Sequence, residues 1–280
     1  MEQVKKSIMV TWDFSAVSYS AFKHALRMSH IVKYNIMLFH IVNDPAEIEA
    51  AKEKLIKVVE ELKKDFGVEV SYFVDHGKIF KEIAEYASKE ENMVDFVVMG
   101  THGMKGSQKF LGSWALKVII GSSVPFIVVQ NDPPEKDRYT DIVFPIDFKS
   151  ENKEKLQWAI FLGKYLNSKI HLYKTPIGDK DLQKKINVNL NFAIRFLIQN
   201  NIDYEIHTAP KSGNFQKDLL AFSKKIKADL IIITTTKHMT KADFIFGAKE
   251  QYLLSNNEKI PVMCVNPKSN FSKVGQFMYG

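Results

Sequence analysis

Cysteine is almost missing from this 280-residue chain, which has one, Cys264. That excludes an internal disulfide framework and any zinc site built from several thiolates, and it fits a reducing compartment. The setting Val262–Met263–Cys264–Val265 reads as a buried strand, so an inert core thiol is expected. Arginine is scarce in one half: Arg195 is the only one in residues 141–280. Arginine is the residue best suited to reading base edges, so no nucleic-acid partner is expected. No apolar run approaches the roughly 20 residues of a membrane span, so no membrane partner is expected either. Met1–Glu2–Gln3–Val4–Lys5–Lys6–Ser7 shows no apolar stretch ending in a small-residue cleavage site. No signal peptide is read there, and a cytoplasmic location is expected. Three motifs are also missing: a G-x-x-x-x-G-K-[ST] phosphate loop, a G-x-G-x-x-G after the first strand, and a G-x-S-x-G nucleophile elbow.

What is present is ordinary for a globular chain: 45% hydrophobic and 25% charged residues. The length allows two domains, each able to bury a core. The net charge of +7 is lopsided. Residues 1–140 carry 18 Lys+Arg and 19 Asp+Glu, a net of −1, and residues 141–280 carry 21 and 13, a net of +8. With lysine dominant, the basic half reads as a solvated surface.

The first half alternates strand and helix patterns. Strands are expected over residues 7–12, 35–42, 68–74, 94–99 and 126–129. Helices are expected over 16–33, from Asp44 to about Phe66, over 78–90 and over 113–121. The second of these has an Asp cap, Pro45 in its first turn and Glu47 three residues from the cap, and Gly67 suits its stop. Continuous apolar strands such as Phe96–Val97–Val98–Met99 suit a parallel sheet covered on both faces. Right-handed crossovers then give a doubly wound sheet.

The second half repeats this order. Its strands are expected over 141–146, 169–173, 204–208, 230–234 and 261–265, and its helices over 154–166, 181–199 and 215–225. Asp13 and Asp147 are 134 positions apart, as are Asp95 and Asp229, while Pro125 and Pro261 are 136 apart. A nearly constant offset across matched elements marks an internal repeat. The expected organisation is a first unit over 1–130, a linker over 131–139, a second unit over 140–268 and a tail over 269–280. The linker, Asn131–Asp132–Pro133–Pro134–Glu135–Lys136–Asp137, is polar and stiffened by two prolines.

In an open parallel sheet, ligands bind beyond the carboxyl ends of the strands where the strand order reverses. The first and fourth strands are the candidates for that reversal. After the fourth come Gly100, Gly103, Gly106 and Gly112, and then Ser113 opening a short helix. Glycines let bare backbone approach an anion, and a helix start offers free N–H donors. Lys105 and Lys109 could add charge from the loop. Plain turns, and a simple N-cap at Ser113, are the competing readings. Asp13 could accept hydrogen bonds from a ribose or an adenine amino group, or could serve only the turn before Ser15. Ile41 could read an adenine edge through its backbone, or belong to the core. His102 could touch phosphate or face solvent. Trp114 could lie beside a ligand or pack under the loop, and packing is favoured.

These residues resemble the universal stress protein family in its tandem two-domain form. The resemblance is carried by Val10–Thr11–Trp12–Asp13–Phe14–Ser15, Phe39–His40–Ile41–Val42, Met99–Gly100–Thr101–His102–Gly103 through Gly112–Ser113, and Val124–Pro125–Phe126–Ile127–Val128–Val129. It implies an α/β fold of two tandem, doubly wound, parallel five-stranded sheets, Rossmann-like and of the adenine nucleotide alpha hydrolase type. It also implies an adenine-nucleotide pocket formed by Thr11, Asp13, Ile41, Met99, Gly100, Gly103, Gly112, Ser113 and Trp114. The implied ligand is ATP or AMP, with or without Mg2+. Eight residues separate Gly103 from Gly112 where ATP-binding members usually have nine, and Thr11 stands where proline is common, so AMP is kept beside ATP. In the second half Pro145–Ile146–Asp147 keeps the nucleoside side. Thr234 and Lys237 replace the first two glycines there, and Ala248 replaces the serine. Lys237 could still bind an anion as a point charge, but a degenerate second pocket is expected.

Three functional readings follow. The first is a nucleotide-binding stress-response protein. The second is a slow ATP hydrolase or phosphoryl-transfer enzyme, weakened by the want of a nameable base. The third is a ligand-independent scaffold whose halves pair through edge strands 126–129 and 262–265, mimicking a dimer within one chain. A homodimer is a further possible assembly.

Overall fold

The computed structural model describes residues 6–101, 118–119, 121–147, 152–176, 178–210, 213–234 and 251–266. The first repeat runs β1 (Ser7–Thr11), α1 (Ala16–Val32), β2 (Asn35–Val42), α2 (Ile48–Phe66), β3 (Val70–His76), α3 (Ile79–Ser88), β4 (Val94–Gly100) and β5 (Phe126–Val129). The second runs β6 (Asp141–Ile146), α4 (Asn152–Leu166), β7 (Lys169–Lys174), α5 (Lys180–Gln199), β8 (Tyr204–Thr208), α6 (Phe215–Lys225), β9 (Leu230–Thr234) and β10 (Val262–Val265).

Local chemistry accounts for the boundaries. A short 3-10 turn, Pro45–Glu47, precedes α2 and is closed by a complete capping box between Asp44 and Glu47. Gly67 ends α2 in the left-handed conformation at φ 64°. The third strand starts two residues later than its apolar pattern suggests and extends to His76, because Ile36 to Val42 of β2 pair Val70 to His76 in register. The helix expected over 78–90 stops at Ser88, and Glu90–Asn92 forms a separate 3-10 turn. The expected helix 113–121 lies mostly outside the described residues, of which 118, 119 and 121 are helical.

Each half forms the expected five-stranded parallel unit, in the orders β3-β2-β1-β4-β5 and β10-β9-β6-β7-β8. The two units are not separate sheets. β5 and β10 pair antiparallel, with Phe126 opposite Cys264, Ile127 opposite Met263 and Val128 opposite Val262, so that one ten-stranded sheet runs through the chain. This realises the edge pairing that the two short apolar strands allow.

Strand alternation sends residues to two cores. Ile8, Val10, Phe96, Ile127, Phe144, Ile232 and Met263 face one cluster, together with buried residues of α1, α2, α4 and α5. Met9, Phe39, Val97, Phe126, Val143, Ile233 and Cys264 face the other, with α3 and α6. Cys264 is fully buried and free, as its setting suggests. The first cluster crosses between the repeats: Trp158 of α4 meets Phe96 of β4 edge-on, ring centroids 6.0 Å apart, and Phe161 lies 6.4 Å from Tyr34. Burying a side chain of this size stabilises by about 1.5–3 kcal/mol.

The segment between β5 and β6 is held against α1. Ser20 Oγ donates to Asp132 Oδ1 (2.6 Å), Lys23 Nζ to Asp132 Oδ2 (2.5 Å), and Arg27 Nη2 to the Pro134 carbonyl (2.6 Å). The Lys23 ammonium and the Ser20 hydroxyl hold the Asp132 carboxyl below its ordinary range. At the start of β6, Asp229 is 3% exposed and accepts from the Thr140 amide (2.7 Å), the Asp141 amide (3.1 Å) and Lys136 Nζ (2.9 Å). Its repeat mate Asp95 takes the Lys6 ammonium at 2.7 Å.

Candidate functional site

β1 and β4 are parallel neighbours, with β2 beyond one and β5 beyond the other. Their crossovers therefore leave in opposite directions, which opens a crevice past their carboxyl ends. Thr11 is half-buried at the end of β1 and pairs Phe39 of β2. The chain then continues Trp12–Asp13–Phe14–Ser15 into α1. Met99 is buried near the end of β4, and Gly100 is its last residue. Ile41, half-buried, lies one residue before the end of β2. Thus Thr11, Asp13, Met99 and Gly100 gather at the reversal point, and Ile41 sits one strand away. Gly103, Gly112, Ser113 and Trp114 lie outside the described residues, as do His102, Lys105, Gly106 and Lys109.

Asp13 builds the turn that starts α1. Its Oδ1 accepts from the Ser15 amide (3.0 Å), the Ser15 hydroxyl (2.5 Å) and the Ser18 hydroxyl, while the Asp13 amide donates to Ser18 Oγ at 3.1 Å. This is an Asx-type turn, and the carboxylate lies at the favourable, positive end of the α1 dipole. The turn role is real, and the Asp13 side chain is still exposed on the crevice rim. Phe14 takes the left-handed conformation at φ 63°, a posture costing a non-glycine residue about 1 kcal/mol. Its ring rests against His40, centroids 4.9 Å apart.

His40 was not singled out by the sequence, although it lies within Phe39–His40–Ile41–Val42. Its Nδ1 is 2.7 Å from the Trp12 carbonyl. A carbonyl only accepts, so Nδ1 carries the hydrogen. His40 thereby ties the end of β2 to the segment bearing Asp13. Gly100 has a packing reason for its identity. A Cβ there would overlap the Val17 carbonyl, lying 2.7 Å from its carbon. The bare backbone lets the first turn of α1 close on β4, the helix–strand role that glycine also fills in dinucleotide folds.

The matching crevice of the second repeat lies past β6 and β9, at Asp147 and Thr234, both half-buried. Lys237, Gly247 and Ala248 lie outside the described residues. An unforeseen group sits here. Lys155 of α4 is 3% exposed, donates from Nζ to the Pro145 carbonyl (2.6 Å) and stands 4.3 Å from the centroid of the Phe144 ring. Burial lowers its pKa to about 8, against an opposing pull from Asp147. The position 134 residues earlier is Ala21, so the second repeat buries an amine where the first buries a methyl group.

The model of the universal stress protein family matches residues 5–130. A universal stress protein of Methanocaldococcus jannaschii is 28% identical over 152 residues, covering 49% of this chain and 87% of that protein. Over nearly the full length, the fold is similar to the crystal structure of a universal stress protein from Archaeoglobus fulgidus. That likeness has a TM-score of 0.74 at 20% identity and covers 94% of this chain and 97% of the other. A putative universal stress protein from Pseudomonas aeruginosa gives a TM-score of 0.63 at 14% identity, covering 94% of each chain. No helix among the described residues is long and apolar enough to cross a membrane. The model of the universal stress protein family thus matches the first repeat of the chain, the second repeats its strand order, and the chain as a whole shares the fold of the full-length structures it resembles.

Proposed function

We propose that the first repeat binds an adenine nucleotide, ATP or AMP, in the crevice past β1 and β4, and that the chain acts in the cytoplasm as a stress-response binding protein. The observation that carries this reading is the reversal of strand order between β1 and β4, with Asp13 exposed on the rim. Asp13 would accept from the ribose or the adenine amino group, and the backbone of Ile41 would meet the base edge. The glycine-rich stretch from Gly100 to Ser113 would wrap the phosphates. Bound nucleotide would favour one conformation of that stretch by mass action. Mg2+ would accompany the triphosphate.

The second repeat serves mainly as the structural partner of the first. Lys155 and the loss of two glycines support that assignment, and the shared sheet makes the pair a dimer within one chain. The test is mass spectrometry of small molecules released from purified protein, followed by equilibrium titration with labelled ATP and AMP. Saturable binding that falls at least tenfold in the Gly112→Val, Ser113→Ala double variant supports the reading. No saturable binding, or binding indifferent to those changes, overturns it.

A further inference from the structure

A second constellation lies far from that crevice, on the outer strands of the second repeat. β7 and β8 run parallel, with His171 opposite Glu205 and Tyr173 opposite His207. Residues two apart on a strand share a face, so His171, Glu205 and His207 project to the same side. His171 Nδ1 is 3.1 Å from His207 Nε2 and 3.8 Å from Glu205 Oε2, and His207 Nε2 is 3.6 Å from that oxygen. Ligand atoms about 2.0–2.1 Å from a tetrahedral zinc ion stand roughly 3.3 Å from one another. The three separations bracket that value.

The surroundings are those of a metal site. His171 Nε2 is 3.0 Å from Asp141 Oδ1. The carboxylate accepts, so the hydrogen sits on Nε2 and the Nδ1 lone pair points into the cluster. Metal-binding histidines are typically oriented by such a carboxylate. Asp141 is fixed in turn by the Thr140 hydroxyl at 2.8 Å from Oδ2. Lys169 Nζ holds the other oxygen of Glu205 at 2.8 Å, leaving Oε2 for the cluster. The Phe222 ring flanks His207, centroids 4.5 Å apart. His171 is buried while Glu205 is exposed, so the three donors form a shallow cup with an open side.

We propose that His171, Glu205 and His207 bind one zinc-class divalent cation, with water or an exogenous ligand in the fourth position. Two imidazoles and one carboxylate suit this borderline class rather than Mg2+ or Ca2+. The metal replaces the proton shared between the two imidazoles and fastens the edge strand β8 to β7. The inference stands independently of nucleotide binding in the first repeat.

The test uses untagged full-length protein titrated with Zn2+ against a chromophoric chelator, with Co2+ absorption as a second readout. One Zn2+ per chain and tetrahedral-type Co2+ bands are expected. His207→Ala and Glu205→Gln should each weaken Zn2+ binding at least tenfold, and Asp141→Asn about tenfold through its orienting role. His76→Ala, on the opposite sheet edge, should leave binding unchanged. Because His207 and Glu205 reach the surface, their variants should fold, and circular dichroism checks that. No stoichiometric binding by the wild type overturns the proposal, as does equal affinity in the wild type and His207→Ala.

Discussion

Gln130 and Asn266 stand 136 positions apart in the chain and perform the same task in opposite directions. Gln130, just past β5, donates through Nε2 to the carbonyls of Leu254 (3.2 Å) and Asn256 (3.0 Å) in the second repeat. Asn266, just past β10, donates through Nδ2 to the carbonyls of Ile119 and Ser122 (2.8 Å) in the first. An isologous contact across a twofold axis has this reciprocal form. Here it lies within one polypeptide.

Asn266→Ala should lower stability by about 2 kcal/mol and Gln130→Ala by about 1 kcal/mol, since each strands backbone acceptors and the Asn266 site is the more buried. Urea unfolding monitored by tryptophan fluorescence checks this. Unchanged midpoints would mean that the β5–β10 seam holds without its flanking amides.

His24 should make the fold acid-sensitive. Its Nε2 is 3.0 Å from the Asn131 carbonyl, which makes Nε2 the donor and leaves Nδ1 to accept from the Tyr139 hydroxyl. Burial, partly offset by the bond to Asn131, brings its pKa down to about 4. The unfolded chain, with histidine near 6.5, binds the extra proton first as pH falls. Stability is therefore complete above about 6.5 and is lost between there and about 4, with roughly 2 kcal/mol gone by pH 5. Urea titrations at pH 7.5 and pH 5 should show a smaller drop in His24→Leu than in the wild type. Parallel drops would remove His24 as the cause.

Lys155→Met should stabilise the protein at pH 7. Keeping a buried ammonium whose pKa is lowered to about 8 costs on the order of 3 kcal/mol. The stranded Pro145 carbonyl gives back about 1–2 kcal/mol of that. The unfolded chain holds the lysine proton up to about 10.5, so wild-type stability rises with pH from about 8 upward. The advantage of the variant should shrink over that window and disappear near pH 10. A constant advantage would show that packing, not charge, sets the difference.

Gly100→Ala should cost about 1–3 kcal/mol, because the added methyl group meets the Val17 carbonyl. Thermal melts check this directly. An unchanged melting temperature would show that the start of α1 can shift at no cost.

The repeat was legible in the sequence because apolar strand runs and paired aspartates recur at a fixed offset, and most strands lie where their patterns place them. The reversal point was legible too, since Asp13 follows, and Gly100 ends, two strands that a doubly wound order makes neighbours. Other features depend on the third dimension. Glu205–Ile206–His207 alternates on one face by strand period, but its register against His171 has no local signal. Lys155 reads as one of several lysines on an amphipathic helix, and only its bond to the Pro145 carbonyl and its place against the Phe144 ring identify it as a buried amine. Gly100 reads as a phosphate-loop glycine in the sequence, and its close approach to Val17 adds a reason that belongs to helix packing.

The stretch of chain between β5 and β6, which joins the repeats that β5 and β10 pair, fixes the ratio of the two crevices at one to one at any dilution. Subunits that associate reversibly fall apart at low concentration and, being encoded once, must change together. A covalent tether removes both restrictions: one copy can carry Lys155 and no counterpart of Gly100 and Gly103 while the other carries both glycines, and the unequal halves stay together in every molecule.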